Sequence, residues 1–348
     1  HGGDVYSYDV EMDFSANINP LGMPESVKKA VQESIADCIH YPDPYCRDLT
    51  AGISKKENVP EEYILCGNGA ADLIFRFVLA KRPKKALILA PSFSEYEGAL
   101  AVGECEVSYY TLSNQNGFRL TEDFLHQITD EVDTVVLCNP NNPTGRLIEP
   151  ELLEKVAEQC QKTNTFLFLD ECFLDFMEDG NERSMKKKLA DNSSLLILKA
   201  FTKMYGIPGL RLGYCLCSDK ELIEKIRSAS QSWAVSVPAQ AAGVAALAET
   251  KFVENTIQLI KQEQHYLLSE LRNIGIPCYP PSANYIFFKE EQGIYERLLK
   301  KGILIRSCHN YPGLEHGYFR IAIKSHEENE KLIQAIREVI KEGSIWQR

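Results

Sequence analysis

Long apolar runs are missing from this sequence of 348 residues. Stretches such as "ALILA" at 86–90 are strand-sized, far short of the roughly 20 residues that a bilayer-spanning helix needs. No contact with a membrane is therefore expected. No block of lysines and arginines occurs, and the net charge is −11, which argues against a nucleic-acid surface. None of the 11 cysteines forms a C-x-x-C pair, and Cys215 and Cys217 alternate along an expected strand. No zinc site is expected; buried thiols in a reducing cytoplasm are. No internal repeat or low-complexity linker interrupts the chain, and no charged-then-apolar leader opens it.

What the chain does contain is a repeated alternation. Short apolar strands such as "KALILAP", "DTVVLCN", "TFLFLDE" and "SSLLILK" are separated by helical stretches. That pattern predicts a mostly parallel sheet covered by helices on both faces. Earlier, "PESVKKAVQESIADC" has helical periodicity with Pro24 in its first turn, and "RDLTAGISKKEN" follows as a second helix. Beyond residue 250 the texture becomes α+β: a long helix, then "NYIFFK", a helix at 292–301, "ILIR", "GYFRIAI" and a final helix. A chain of this length exceeds one ordinary core. The division expected is an N-terminal segment 1–22, a large domain 23–250 and a smaller domain 251–348.

Ligands of open parallel sheets collect beyond the carboxyl ends of the strands. Four loops there carry chemistry. Gly67-Asn68-Gly69-Ala70-Ala71 enters a helix, so small residues and a helix N-terminus suit a phosphate, though a plain glycine turn would look the same. Pro140-Asn141-Asn142-Pro143-Thr144-Gly145 is either a proline-rich turn or a rigid mount for an asparagine donor. Asp170-Glu171 ends so apolar a strand that a carboxylate there needs a cationic partner, unless it merely caps the next segment. In "LILKAFTKMYGIPGLRLGY", Lys199 and Lys203 stand four apart before Arg211. A lysine is ordinarily a solvated surface charge. It becomes a carbonyl-attacking amine only where burial or nearby cations lower its pKa, and the arginine that follows suits a phosphate. Together, a phosphate cradle, an acid for a ring nitrogen, an asparagine, a lysine and an arginine describe a pyridoxal-phosphate site.

"NPNNPTG", "LDE" and "TK-x-x-x-x-PGLRLGY", in that order, resemble the fold-type I pyridoxal-phosphate enzymes of the aminotransferase superfamily over essentially the whole chain. The resemblance implies an α/β large domain plus a smaller α+β C-terminal domain. In that superfamily the cofactor lysine precedes the phosphate-binding arginine by eight residues, which selects Lys203 and leaves Lys199 as a charge at the end of a strand. It further implies Asp170 at the pyridine nitrogen and Asn142 at the ring 3-oxygen. Gly69, Ala70, Ala71, Thr202 and Arg211 would hold the phosphate, with Phe93 stacked on the ring and Tyr96 nearby. Tyr41 would reach the cofactor phosphate of a neighbouring subunit in a homodimer, and Arg320 would bind substrate. Two departures stand out: Phe173 replaces a tyrosine that touches the ring oxygen, and Ala200 replaces a hydroxyl residue of the phosphate site.

Within the superfamily, "HGGD" at the start, "DFSANINPLG" at 13–22, "DECFLDF" at 170–176 and "IRSCHNYPGL" at 305–314 resemble the L-threonine-O-3-phosphate decarboxylases of cobalamin synthesis. Histidinol-phosphate aminotransferases share the lysine and asparagine motifs. The resemblance implies decarboxylation of a phosphorylated amino acid, threonine phosphate or serine phosphate, with Asn17, Arg306, Asn310 and Arg320 holding its anions. Transamination of histidinol phosphate is the alternative reaction, and a catalytically silent binding module is the alternative of another class.

Overall fold

The computed structural model describes residues 2–290 and 293–345. Strand β1 (Met12–Asp13) opens the chain, followed by helices α1 (Glu25–Ser34) and α2 (Arg47–Glu57). The first half of the main layer runs β2 (Ile64–Gly67), α3 (Ala70–Lys81), β3 (Lys85–Ala90), α4 (Ser94–Val102), β4 (Glu106–Thr111), β5 (Thr134–Cys138) and α5 (Pro150–Lys162). It continues with β6 (Phe166–Asp170), α6 (Gly180–Arg183), β7 (Leu195–Ala200), α7 (Phe201–Met204), β8 (Gly213–Cys217), α8 (Lys220–Ser228) and α9 (Val237–Leu247). The long α10 (Thr250–Ile274) leads to β9 (Cys278–Tyr279), β10 (Tyr285–Lys289), α11 (Ile294–Lys300), β11 (Ile303–Leu304), β12 (Arg306–Ser307), β13 (Tyr318–Ala322) and α12 (His326–Ile345).

Seven strands form one sheet in the order β2-β8-β7-β6-β5-β3-β4. Strands β4, β3, β5, β6 and β7 are mutually parallel, while β8 runs against both β7 and β2. The central strands β5, β6, β7 and β8 are buried at every position, as expected of strands covered on both faces. The antiparallel β8 matters for the site. Its start, not its end, lies beside the carboxyl ends of its neighbours, so Gly213 pairs with both Ala200 and Gly67. Residues just before β8 therefore reach the same edge as residues just after β2, β5, β6 and β7.

The second sheet is antiparallel, in the order β12-β13-β10-β9. The N-terminal segment packs beside it: β1 and β11 form a separate two-stranded parallel sheet, and Phe14 N donates to the Leu304 carbonyl while the Phe14 carbonyl accepts from Ala322 N. The first helix is shorter than its sequence predicts. The α-turns end at Ser34 and a 3-10 turn covers Ile35–Ile39, while Pro24 stands outside the helix, its carbonyl accepting from Lys28 N. The helix expected at 292–301 runs from Ile294 to Lys300; residue 292 lies outside the described residues, as does His1 of the "HGGD" motif. Strand β4 and helix α9 are among the elements that carried no sequence signal. Strand β4 is an edge strand with polar, half-exposed positions. Helix α9 is built from small residues, and Gly243 lies so close to Leu49 and Leu212 that a Cβ would sit 2.6–2.7 Å from them.

Candidate active site

Lys203, expected to be the cofactor lysine, is positioned by continuity. Strand β7 passes without a break into α7, so Lys203 falls in the first helical turn past the sheet. Its Nζ lies 5.0 Å from the centre of the Phe173 ring. Its backbone is held as well: the Lys203 carbonyl accepts from Asn19 N at 3.0 Å, and Asn19 Nδ2 donates to the Met204 carbonyl and to Thr256 Oγ1. The "SANIN" segment is thereby docked against the lysine helix. Gly206 permits this approach, because a Cβ there would meet the Gly22 carbonyl at 2.4 Å.

Asp170 ends β6 and is buried. Tyr96 OH donates to its Oδ2 at 2.6 Å and Cys172 N to its Oδ1 at 2.9 Å. Burial, and then Asp170 itself, push the Tyr96 hydroxyl well above its ordinary pKa, so Tyr96 remains a donor. Donors on both oxygens hold the carboxylate in one orientation.

Arg211 precedes β8 in a left-handed conformation, φ 57°, and its guanidinium lies against Gly69. A Cβ on Gly69 would come within 2.5 Å of the Arg211 NH2 nitrogen. The same glycine, at φ +88°, starts α3 at Ala70. The cationic fork thus sits over a helix N-terminus, and Ala71 and the hydroxyl residue Thr202 line the same cavity. This combination suits a phosphate.

Asn142 is buried, and its Oδ1 accepts from Arg320. That contact turns the amide nitrogen, a donor, toward other partners. The second Arg320 terminal nitrogen donates to the Ser15 carbonyl at 2.8 Å. Arg306 and Arg320 are register partners across β12 and β13, an arrangement in which like charges oppose pairing. Arg306 lies over the Tyr311 ring at 5.3 Å and donates to Asn310 Oδ1 at 2.9 Å.

A cavity of about 410 Å³ brings Lys203, Arg211, Arg306 and Arg320 together with Asn17, Ala71, Phe93, Asn142, Phe173 and Thr202. Gly2 reaches it too, packed so closely on the Ser15 carbonyl that a Cβ would lie 2.2 Å away. Asn310 touches Arg306 and, like Asp170, is not among the lining residues. Tyr41 is not brought there within one chain. It is 77% exposed and stacked on Trp233 at 4.4 Å. The buried Asn17 Oδ1 and Arg320 Nε have no hydrogen-bond partner within the described chain. Buried polar atoms ordinarily find partners, so these point to a polar ligand. With the Gly69 cradle, the residues present fit pyridoxal phosphate.

Lys199 is the expected charge near the end of a strand, β7, but a buried one, 2% exposed, where a lysine is ordinarily solvated. Its Nζ lies 2.7 Å from Asp175 Oδ1 and 3.8 Å from Glu57 Oε1. Burial disfavours its charge, yet Asp175, Glu57 and Glu171 raise its pKa above the ordinary lysine value. It stays an ammonium ion, unsuited to attack a carbonyl. Glu57 in turn binds Lys186 Nζ at 2.6 Å and accepts from Tyr214 OH at 2.5 Å. Sequence alone gave no sign of this cluster, because its members come from α2, the turn after β6, the segment before β7, β7 and β8.

Comparison with known proteins gives the same frame. The family model described as aminotransferase class I and II matches residues 9–336. A threonine-phosphate decarboxylase of Salmonella typhimurium is 39% identical over 353 residues, covering 98% of this chain and 96% of that protein. The structure of histidinol-phosphate aminotransferase from Clostridium acetobutylicum matches with a TM-score of 0.89 at 32% identity, covering 94% of this chain and 98% of that one. The fold is shared as well with a histidinol-phosphate aminotransferase from Sinorhizobium meliloti solved in complex with pyridoxal-5'-phosphate (TM-score 0.86, 21% identity, 97% and 93% covered). On these matches the chain belongs to the family of class I and II aminotransferases.

Proposed function

We propose that this protein is a pyridoxal-phosphate-dependent lyase that removes CO2 from L-threonine O-3-phosphate, leaving (R)-1-aminopropan-2-yl phosphate for cobalamin synthesis. The observation that carries the reading is the Arg306–Arg320 pair. Two guanidinium groups opposed across β12 and β13 share a cavity with Lys203, in addition to the arginine already at the cofactor-phosphate cradle. Such a pair suits a substrate with two anions, a carboxylate and a phosphate. Threonine phosphate has both, serine phosphate has both, and histidinol phosphate has no carboxylate. The 39% identity to a threonine-phosphate decarboxylase over nearly the full chain supports the same choice.

When bound, pyridoxal phosphate supplies a conjugated ring that takes up the electrons of whichever Cα bond stands perpendicular to it. In this reading Arg211, Thr202 and the start of α3 hold the phosphate, with Gly69, Ala70 and Ala71 giving it room. Asn142 would offer its Nδ2 to the ring oxygen, Phe93 would pack on the ring, Asp170 would keep a proton on the ring nitrogen, and Lys203 would hold the aldehyde group through its amine. Arg306, Arg320 and Asn17 would bind the substrate's anions, with Asn310 holding Arg306, and so decide which Cα bond is aligned. Alignment of the carboxylate gives CO2 and a proton returned to Cα; alignment of the hydrogen gives transamination.

The same reading places a homodimer around shared sites, with Tyr41 of one chain at the other's phosphate. The exposed Ile35, Ile39, Tyr41, Tyr45 and Trp233 support that surface. It keeps a large unit at 23–250 and a smaller one at 251–348. It also keeps a reducing, cytoplasmic setting, supported by cysteines that are all free.

The test is a product assay with purified enzyme, pyridoxal phosphate and no keto acid, run with threonine phosphate and serine phosphate side by side. Release of CO2 with formation of the amine phosphate is expected. Absence of CO2 from both, with amino transfer from histidinol phosphate to a keto acid, overturns the reading in favour of the transaminase suggested by the 32% identical structural match. Lys203→Ala is expected to abolish the absorbance band of the lysine-bound cofactor. No such band in the parent protein would leave only a silent binding module.

A further inference from the structure

Two strand ends meet at the catalytic lysine. Strand β6 delivers Asp170 and then turns through Phe173 into a 3-10 turn at Leu174–Phe176. Its parallel neighbour β7 delivers Lys199 and runs on into the helix of Lys203. Among the described residues, backbone pairing past the sheet joins the two through the Glu171 N to Leu198 carbonyl bond, 2.9 Å. The side chains do more. Lys199 Nζ is 2.7 Å from Asp175 Oδ1, two residues beyond the ring that underlies Lys203 Nζ.

We infer that Lys199 is a positioning residue: its ion pair with Asp175 clamps the β6 turn to β7 and sets Phe173 at its distance beneath the Lys203 amine. The inference rests on the reading of Lys203 as the cofactor lysine. The clamp is built rather than incidental. Lys199 is 2% exposed and its second partner, Glu57 at 3.8 Å, is 3% exposed. Glu57 is itself held by Lys186, also buried, and by Tyr214. Burying several charges is costly unless each is paired, and a clamp of this kind has one geometry where a hydrophobic contact would have several. On its other side Phe173 packs edge-to-face on Tyr285 at 5.0 Å, and Tyr285 OH donates to the Asn141 carbonyl at 2.8 Å, next to Asn142. Phe173 thus stands between the clamp and the asparagine loop, and a shift of the turn would move the lysine's floor against the ring-oxygen donor.

The experiment compares the parent with Lys199→Met, Lys199→Arg and Asp175→Asn as full-length enzymes, each checked for folding by circular dichroism. The main readout needs no substrate: the rate at which cofactor-free protein forms the lysine-bound absorbance band on adding pyridoxal phosphate, with borohydride trapping mapped to Lys203. Lys199→Met and Asp175→Asn are expected to slow band formation about tenfold, and to lower kcat by a similar factor while KM stays within about twofold. Lys199→Arg, which keeps the ion pair, is expected to recover most of both. Where Lys199→Met fails to fold, Asp175→Asn decides, because Asp175 is partly exposed and its removal leaves Lys199 paired to Glu57. Parent rates of band formation in folded Lys199→Met or Asp175→Asn overturn the inference, and so does a Lys199→Arg enzyme as slow as Lys199→Met. Failure of the parent to release CO2 from threonine phosphate would bear on the substrate and leave the band-formation result standing.

Discussion

Asp170 depends on a tyrosine that its own strand does not supply. Tyr96 donates to it from α4, across 74 residues of chain. A hydrogen bond to a charged group contributes about 1.5–3 kcal/mol, so Tyr96→Phe is expected to lower kcat by about tenfold or more. The fold should persist, since the ring remains; steady-state kinetics and the retained cofactor band check this. Gly69→Ala addresses the cradle. The added methyl would sit at 2.5 Å from Arg211 and force a side-chain residue to φ +88°, a strain of about 1–3 kcal/mol. Weakened cofactor retention on dialysis is the expected outcome. At this scale, the gathering of Lys203, Asp170, Asn142 and Arg211 at one edge of the sheet was legible because their loops are short, local and spaced in order. Tyr96, Asn19 and Lys199 were not legible in their roles. Their partners lie between 24 and 237 residues away, and no local spacing announces a contact of that kind.

Between elements, the same physics sets two measurable dependences. Burial alone would raise the pKa of Glu57, between α2 and the β7–β8 pair, but Lys199 and Lys186, with hydrogen bonds from Lys186 and Tyr214, bring it from 4.5 to about 2. A carboxyl depressed in the folded state adds stability above its unfolded value, and that stability fades as pH falls from about 4.5 toward 2. Its size is on the order of 3 kcal/mol. Urea unfolding of the parent across that window should show the loss. Glu57→Gln should be less stable at neutral pH and show a flatter acid dependence. Across β12 and β13, the opposed Arg306 and Arg320 carry a repulsion of about 0.2–1 kcal/mol. Arg306→Met should therefore leave the melting temperature unchanged or slightly raised, while KM for threonine phosphate rises. A large fall in melting temperature would show that Arg306 serves packing instead. The buried strands β3, β5, β6 and β7 were legible as apolar runs. The edge strand β4 and the small-residue helix α9 were not, because neither carries a hydrophobic period; position in the fold defines them.

For the whole molecule, the Tyr41–Trp233 stack, Ile35 and Ile39 are exposed large apolar side chains, the kind of surface that marks an interface where it is contiguous. Co-expressed Lys203→Ala and Tyr41→Ala chains test it. If each site takes Tyr41 from its neighbour, a mixed dimer holds one site with both lesions and one with neither, so activity returns on mixing two weak enzymes. No recovery in a verified mixed dimer would confine Tyr41 to its own chain. The reversed strand β8 has a consequence for synthesis. Every residue assigned to the cofactor, from Tyr41 to Arg211, precedes the end of that strand, while Arg306 and Arg320 come about a hundred residues later. Domains fold largely as units while the ribosome extends the chain. On the proposed assignment, a growing polypeptide would thus hold every group it offers to a cofactor, its own or its neighbour's, before the strands carrying Arg306 and Arg320 exist, which separates holding the reagent from the arginines that choose what it acts upon.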